Sequence, residues 1–282
     1  MDAVLLAVAS ATLFGAMTVA LRPALAREPS AELGALLTVL PALAVVLVAA
    51  FLRFDWQLGG LWPFALAGIL GPGLSQTLFT LGVREAGAAR TSVAVGTAPL
   101  FSVAIALVFL DEPAVAGVLA GAVLVVAGGV LLVGERARPV HVRRIGLVFA
   151  LAATVVFAVR DNIVRWLAVD ADVSPELAAA VTMATGALTI ATWAKLARAP
   201  FSVRPLRLFA PAGVLFGLSY VCLFEAYYRG RVTVVSPLVA TESLWGVVFS
   251  AVFLHRVEVI GLRLALGAGL IVAGGVFIGL FR

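Results

Sequence analysis

Apolar residues run along this chain in long unbroken stretches, and short polar or basic segments separate them. A helix needs about 20 residues to cross a hydrocarbon core of roughly 30 Å. Because a backbone in lipid must satisfy its own hydrogen bonds, continuous apolar runs predict transmembrane helices. Prolines inside four spans, Pro72 among them, are expected to kink their helices. The predicted spans are 3–21, 31–52, 61–83, 90–110, 114–134, 145–167, 176–197, 206–228, 232–254 and 259–281.

Composition supports this fold class, an all-α integral membrane protein with ten transmembrane helices. The chain is 63% hydrophobic and 12% charged, with a mean hydropathy of +1.13, and this balance excludes a water-soluble domain of 282 residues. The isoelectric point near 10.3 does not indicate a nucleic-acid partner, because basic residues in a membrane protein first report orientation. The single cysteine, Cys222, cannot form an internal disulfide.

The second half of the chain repeats the first. The clearest match begins at a glutamate, passes a glycine and ends at a glycine pair, with the same spacings in both copies. It comprises Glu112, Gly121 and 128–129, then Glu258, Gly267 and 274–275, at an offset of 146 residues. We therefore expect one five-helix repeat in 1–134, a basic linker in 135–144 and a second repeat in 145–282. A duplicated membrane unit predicts a transporter with its site between the halves.

Five spans are an odd number, so the two repeats should face opposite ways across the membrane. If the N-terminus lies outside, thirteen basic loop residues are cytoplasmic and five are external. The cytoplasmic group includes Arg22, Arg84, Arg90 and Arg143. The arginine distribution therefore favours a multi-pass protein of the cell membrane with both termini outside.

These repeated residues resemble the EamA type of the drug/metabolite transporter superfamily. In that pattern each repeat has a span carrying a proline, a glutamate just after it, and a closing span that contains glycines. Pro99 and Glu112 supply the first copy, but at an offset of 144 Ser243 stands where the second proline should be. The resemblance covers essentially the whole chain.

The resemblance implies a ten-helix carrier that works by alternating access and moves small metabolites, often amino acids or related compounds, with many members being exporters. It also implies a central cavity between the first four helices of each repeat. The fifth helices are expected to pack against each other. The implied partners are a small-molecule solute and membrane lipid, with protons as a further partner if transport is coupled. The protein would act as a monomer or a weak homodimer.

Charges within spans cost roughly 2.5–3.5 kcal/mol on insertion scales, so they should face protein or water. Glu242, near the middle of the ninth span, is the first candidate, as a cavity acid that binds a cationic group or exchanges a proton. Its alternative is a structural acid paired with a neighbouring helix. Arg160, Asp161 and Asn162 follow in the sixth span. Adjacent helix positions point about 100° apart, so Arg160 and Asp161 are expected to find partners on other helices.

Arg160 could hold a substrate carboxylate in its planar donor fork, or belong to a structural network with Asp161, Glu225 or Glu242. Tyr220 matches Gln76 at the 144-residue offset, which makes them a candidate cavity pair. Tyr227 and Tyr228 fit an interfacial aromatic belt. Glu225, Ser243 and Trp245 complete the candidates for substrate binding or coupling.

A membrane-embedded enzyme acting on a lipid or small polar substrate is the alternative function. It would need a catalytic cluster within the spans, yet both histidines fall outside them and the acids are dispersed. A channel is disfavoured because no repeated acidic ring or filter-like segment is present. No cofactor or nucleotide-binding motif and no metal-ligand spacing occurs, so none is expected. Both charge signs in the cavity favour a zwitterion such as an amino acid, and the driving force stays open between proton coupling and exchange.

Overall fold

The computed structural model of the protein describes a large part of the chain, and all its regular elements there are helical. The described residues are 2–56, 59–98, 100–101, 104–105, 115–133, 143–170, 172–196, 202–230, 235, 238–255, 257 and 261–281, with the backbone alone for 165 and 167–170. The helices are α1 Ala3–Arg27, α2 Ala31–Arg53, α3 Trp62–Gly68, a π-helical segment Ile69–Ser75, α4 Gln76–Ala86, α5 Ala88–Val95, α6 Ala116–Val133, α7 Arg144–Asp170, α8 Pro175–Leu196, α9 Leu206–Arg229, α10 Glu242–Phe253 and α11 Leu262–Phe281.

The helices follow the predicted spans closely. Seven are long and apolar enough to cross a membrane, namely α1, α2, the run from α3 to α4, α7, α8, α9 and α11. Helix α6 matches the fifth predicted span but is shorter in its apolar part. Only part of the fourth and ninth runs is described, as α5 and α10. The protein is therefore a multi-pass helical membrane protein, and the count of ten spans stays a prediction.

Several hydroxyl groups of these apolar helices are satisfied within their own helix. Ser30 caps α2, its hydroxyl accepting from the Leu33 amide at 3.3 Å. Threonine hydroxyls donate to the carbonyl four residues earlier, as in Thr38 to Gly34 and Thr80 to Gln76, both at 2.7 Å. This back-bonding removes hydroxyl groups from lipid without a partner helix.

The third span is broken near its centre. Pro72 removes a backbone donor, and the chain passes through a π-helical segment in which Gly71 leaves helical geometry at φ −64° and ψ −108°. The Ser75 hydroxyl donates to the Gly71 carbonyl and so satisfies part of the interrupted ladder. The kink expected at Pro72 is therefore confirmed. Glu112, Glu258, Pro99 and most of the 135–144 linker lie outside the described residues.

The closing helices of the two repeats, α6 and α11, pack directly on each other, and glycines form the contact. A Cβ atom on Gly128 would lie 2.6 Å from the Gly267 carbonyl oxygen, and one on Gly274 would lie 2.5 Å from that of Gly121. As numbers rise along α6 they fall along α11, so the two helices are antiparallel. Equivalent helices that run in opposite directions are the signature of an inverted repeat, and their contact agrees with the sequence expectation.

The same inversion relates contacts elsewhere. Gly217 of α9 lies against the Ala42 backbone of α2, where a Cβ would come within 2.7 Å of the carbonyl. The equivalent contact, 144 residues away in both partners, is made by Gly186 of α8 and Gly73 of the π-helical segment. There a Cβ on Gly186 would lie 3.0 Å from the Gly73 amide nitrogen. The same contact between repeats is thus made twice, with the roles of the first and second repeat exchanged.

Polar contacts gather at the two ends of the bundle. At one end Arg22 donates to the Arg84 carbonyl at 2.8 Å, and Arg143 pairs with Glu85 at 3.1 Å. At the other end Arg53 lies 4.0 Å from Glu176 of α8. Arg22, Arg84 and Arg143 were predicted to share one side of the membrane, and all three lie at the same end of the bundle.

Arg90 departs from the prediction. It was expected in a loop, but it lies inside α5 with 1% exposure. Only Gly87 connects α4 to α5, and its φ of +89° lets the chain turn back at once. The short connection carries Arg90 into the protein interior.

Candidate substrate cavity

A cavity opens between α1, the end of α5, α7, α9 and the start of α10. Ser10 and Ser219 belong to its lining, and five ionisable side chains complete its polar part. They are Arg160 and Asp161 from α7, Tyr220 and Tyr227 from α9, and Glu242 from α10. Arg160, Tyr220, Tyr227 and Glu242 are each 6% exposed or less. Four of the five were candidates from the sequence, so the fold brings residues that are as much as 82 positions apart into one lining.

Arg160 is held on several sides. Its Nε lies 2.8 Å from Asp161 Oδ1, and its NH1 group donates to the Tyr220 hydroxyl at 2.7 Å. The guanidinium carbon also lies 5.4 Å from the Phe157 ring centroid and 5.3 Å from that of Tyr220, within cation–π range. Two of the three guanidinium nitrogens are therefore engaged by protein partners.

Each of the two residues has the expected partner on another helix, Tyr220 for Arg160 and Tyr227 for Asp161, but the two also pair with each other, which was not expected. The two Cα–Cβ directions do differ by about 100° on a helix. The arginine side chain is long enough to fold back across that angle, and burial favours closing the pair. The side chains are 5% and 17% exposed respectively.

Tyr227 was expected in an interfacial belt, and this was wrong. It is 1% exposed, lines the cavity and lies beside the Asp161 carboxylate. Seven residues separate it from Tyr220, which is two helical turns, so both hydroxyls face the same side of α9. Tyr228 points away from this face, is half-buried and lies near Glu176.

Glu242 lies at the start of a helix. The chain turns at Ala240 and Thr241, and α10 begins at Glu242 within the predicted 232–254 run. A helix N-terminus favours a negative charge, which offsets part of the cost of burying this carboxylate. Its electrostatic neighbours in the cavity are Asp161 and Arg160. In the described part of the chain no basic group forms an ion pair with it.

Aromatic rings form the apolar wall of the cavity. Phe14 of α1 makes edge contacts with Phe157 at 6.1 Å and Phe216 at 6.0 Å between centroids. The broken span supports the polar side: a Cβ on Gly71 would lie 3.2 Å from Arg160 Cγ and 3.3 Å from the Tyr220 oxygen. The absence of a side chain there lets the backbone approach both groups.

The remaining candidates lie outside the cavity lining. Asn162 donates to its own helix, at the Ala158 carbonyl, over 2.7 Å. Ser243 donates to the Ala240 carbonyl at 2.9 Å and packs against Gly96. Trp245 packs on Gly15 and stacks on Phe249, 5.6 Å between centroids.

Gln76 and Glu225 differ from these three. Gln76 is fully buried, and neither side-chain amide atom has a hydrogen-bond partner among the described residues. It is not part of the lining, although its counterpart Tyr220 is. Glu225 belongs to a separate cluster near the end of α9, where it accepts from Arg229 Nε at 2.6 Å and lies close to Glu176.

Sequence reasoning missed Tyr227, Ser10 and the phenylalanine wall. Ser10 of α1 and Ser219 of α9 exchange hydroxyl-to-carbonyl hydrogen bonds of 2.9 Å and join the two repeats beside the cavity. A helical-face signal was present: Phe216, Tyr220, Leu223 and Tyr227 recur at intervals of four, three and four. Extending the face of Tyr220 along α9 would have identified Tyr227.

The comparisons with known proteins agree with this architecture. Among solved structures, one entitled "Crystal structure of protein" is 23% identical, covers 99% of this chain and 97% of its own, and has a TM-score of 0.69, which shows a shared fold. No curated protein sequence matches the chain. The model of the EamA-like transporter family matches residues 1–134 and again 144–280. A family model that matches both halves of the chain shows that this protein belongs to the EamA-like transporter family.

Proposed function

We propose that this protein is a secondary carrier that exports a small metabolite, an amino acid or a related compound, across the cell membrane by alternating access. The observation that carries the proposal is the cavity between the inverted repeats, lined by Arg160, Asp161 and Glu242. Buried ionisable groups in a membrane domain are costly and mark solute or ion pathways. We further propose that both ends of the chain lie outside, as the arginine distribution favours.

The inverted contacts support alternating access. The α2–α9 contact at Gly217 and its counterpart at Gly186 are chemically similar glycine-to-backbone contacts made in opposite senses. A rearrangement that loosens one set and tightens the other opens the cavity to the opposite side with little difference in packing. Rocking of repeats around a fixed central site is the usual use of such symmetry.

Glu242 is the proposed coupling residue. It faces the cavity without an ion-pair partner in the described part of the chain, so either a proton or a cationic solute group can neutralise it. Competition of the two for one carboxylate would exchange an inward proton for an outward solute. The fixed Arg160–Asp161 pair would shape the site without itself being exchanged.

The decisive experiment is transport by purified protein in proteoliposomes. Vesicles are loaded with single metabolites from a panel of amino acids, amines and organic acids, and counterflow of labelled solute is followed with and without a pH gradient. We expect saturable flux of at least one class, absent from protein-free vesicles and reduced about tenfold or more by Glu242→Gln. Recovered solutes are analysed by mass spectrometry.

Two outcomes would contradict the proposal. If no solute moves and a recovered compound is chemically altered, the enzyme alternative replaces it. If Glu242→Gln transports at an undiminished rate with unchanged dependence on the pH gradient, Glu242 is not the coupling residue.

A further inference from the structure

The charged side chains of the cavity differ in how far other protein groups already engage them. Its described lining carries one basic and two acidic side chains. Arg160 is engaged by Asp161 and Tyr220, and its guanidinium lies near two aromatic rings. The acid of that pair is bound to the same guanidinium. Glu242 is left as the charged group that has no ion pair among the described residues.

We infer that the cavity selects a small organic monocation, an ammonium group carried on an apolar or aromatic body, over a zwitterionic amino acid. This inference rests on the proposed function and specifies the charge of its solute. The ammonium group lies against Glu242, and the apolar body lies against the phenylalanine wall. With the solute bound, the three charged side chains and the ligand sum to zero.

A substrate carboxylate is less well accommodated than an ammonium group. At Arg160 it would have to share the guanidinium with Asp161, whose carboxylate lies 2.8 Å from Nε, and a zwitterion would leave the site with a net negative charge. Displacing Asp161 instead would break a buried ion pair, which is strongly unfavourable. A carboxylate left elsewhere in the cavity would face Asp161 and Glu242, two like charges. The amino-acid expectation drawn from the mixed charges therefore weakens once the pairing within α7 is known.

The aromatic lining suits the same ligand. Phe14, Phe157 and Phe216 enclose the apolar side, and the hydroxyls of Tyr220 and Tyr227 belong to the network around Arg160 and Asp161. The face of an aromatic ring packs well against hydrocarbon and also attracts an ammonium group. The attraction to the ammonium group is strongest when water is excluded. A monoamine with an aromatic or branched apolar group can therefore contact both Glu242 and the phenylalanine wall.

The test compares three probes that differ in charge on one scaffold. Phenethylamine carries the ammonium group, phenylalanine adds a carboxylate, and 3-phenylpropanoate carries only the carboxylate. Binding to the purified full-length protein in detergent is measured by isothermal titration calorimetry, which avoids leakage of the free amine through vesicles. We expect phenethylamine to bind at least about tenfold more tightly than phenylalanine, and 3-phenylpropanoate not to bind.

Two variants complete the test. Glu242→Gln should weaken phenethylamine about tenfold or more, whereas Glu32→Gln, an isosteric loss of an acid in the first turn of α2, should leave it unchanged. Thermal unfolding of both variants shows that they are folded. If Glu242→Gln does not fold, Glu242→Asp replaces it, and we expect measurably weaker binding because the shorter side chain withdraws the carboxylate from the ligand.

Three results would overturn the inference: phenylalanine binding as tightly as the amine, no binding of the amine, or amine binding unaffected by both Glu242 variants. Each is separable from failure of the carrier proposal. If panel solutes still move in proteoliposomes, the protein is a carrier of a different solute class. If no panel solute moves, the carrier proposal fails as well.

Discussion

The α6–α11 contact through Gly121, Gly128, Gly267 and Gly274, here called the glycine seam, differs from the cavity in how far the two repeats share residues. In the seam, equivalent residues keep the same identity: Gly121 corresponds to Gly267 and Gly128 to Gly274 at an offset of 146. In the cavity, equivalent positions differ in chemistry. Arg160 corresponds to Met17, and Glu242 corresponds to Ala98, which also lines the cavity.

The difference teaches where symmetry is useful. Two helices that cross about a pseudo-twofold axis meet the same neighbours from both sides, so a small residue favoured in one is favoured in the other. A solute is not symmetric, and a site that binds it needs charge on one side only. Phe14 and Phe157, equivalent at an offset of 143, keep the apolar wall symmetric while the charged groups come from the second repeat.

The largest loss of stability is expected when Arg160 is replaced by methionine, the residue at the equivalent position of the first repeat. Arg160→Met leaves Asp161 buried without its partner, which typically costs about 3–5 kcal/mol. We expect thermal unfolding in detergent to shift strongly downward. Cys222, the single cysteine, is half-buried, so its reaction with a fluorogenic maleimide on heating reports the transition.

The double variant Arg160→Met/Asp161→Thr copies the first-repeat sequence and removes both charges. It should recover much of the lost stability, because no buried carboxylate remains unpaired. Equal destabilisation of the single and double variants would show that the pair is not the source of the effect.

The next-largest effect is expected in the seam, where the close backbone contacts leave no room for larger side chains. Gly128→Val places a branched side chain against the Gly267 carbonyl, which is backbone and cannot move aside, at a cost of about 1–3 kcal/mol. Gly129→Val is the matched control, since a Cβ on Gly129 meets nothing within 4 Å. The thiol-reactivity transition should fall for the first variant and hold for the second. Equal transitions would mean that α6 and α11 do not pack through these glycines.

A transplanted acid tests whether the two cavity positions are equivalent. Glu242→Ala should abolish measurable phenethylamine binding. Adding Ala98→Glu puts a carboxylate at the symmetry-related position in the same lining, and we expect it to restore binding to within about tenfold of the unmodified protein. Calorimetry on the single and double variants measures the recovery. No recovery, with both variants folded, would show that the helix start at Glu242 is required and that the positions are not interchangeable.

The smallest effect is expected at Tyr227. Tyr227→Phe keeps the ring and removes the hydroxyl beside Asp161, a change of about 0.5–1.5 kcal/mol. Tyr228→Phe is the control, because that residue is outside the cavity lining. We expect a modest loss of amine binding in the first variant alone. A loss of the same size in both would contradict the assignment of Tyr227 to the site.

Much of the fold was predictable because membrane helices are specified locally. Apolar run length gives the span, and eight predicted runs agree with described helices, counting α3 to α4 as one, with ends that differ by at most six residues. The helix break at Pro72 was predictable because a proline alters the hydrogen bonding of its own backbone. Arg90 was misplaced since the depth of a side chain near a helix end depends on how abruptly the chain turns, here at Gly87.

The site was predictable only in part. A charge in an apolar run is visible from the sequence, which is why Glu242, Arg160 and Asp161 were identified. Whether a polar residue faces a cavity depends on which side of its helix the neighbours occupy. Ser243 and Trp245 follow Glu242 by one and three positions and lie outside the cavity lining, while Tyr227 belongs to it.

By itself, the sequence determined the membrane class, the duplication and the family, because these depend on composition and spacing. The odd number of predicted spans implied inversion, and the antiparallel seam agrees with it. Only the tertiary structure decided that Arg160 is committed to Asp161 and Tyr220 while Glu242 has no such partner. Partner choice among buried charges is set by distances of a few ångströms between helices far apart in the chain, and no spacing along the sequence encodes them.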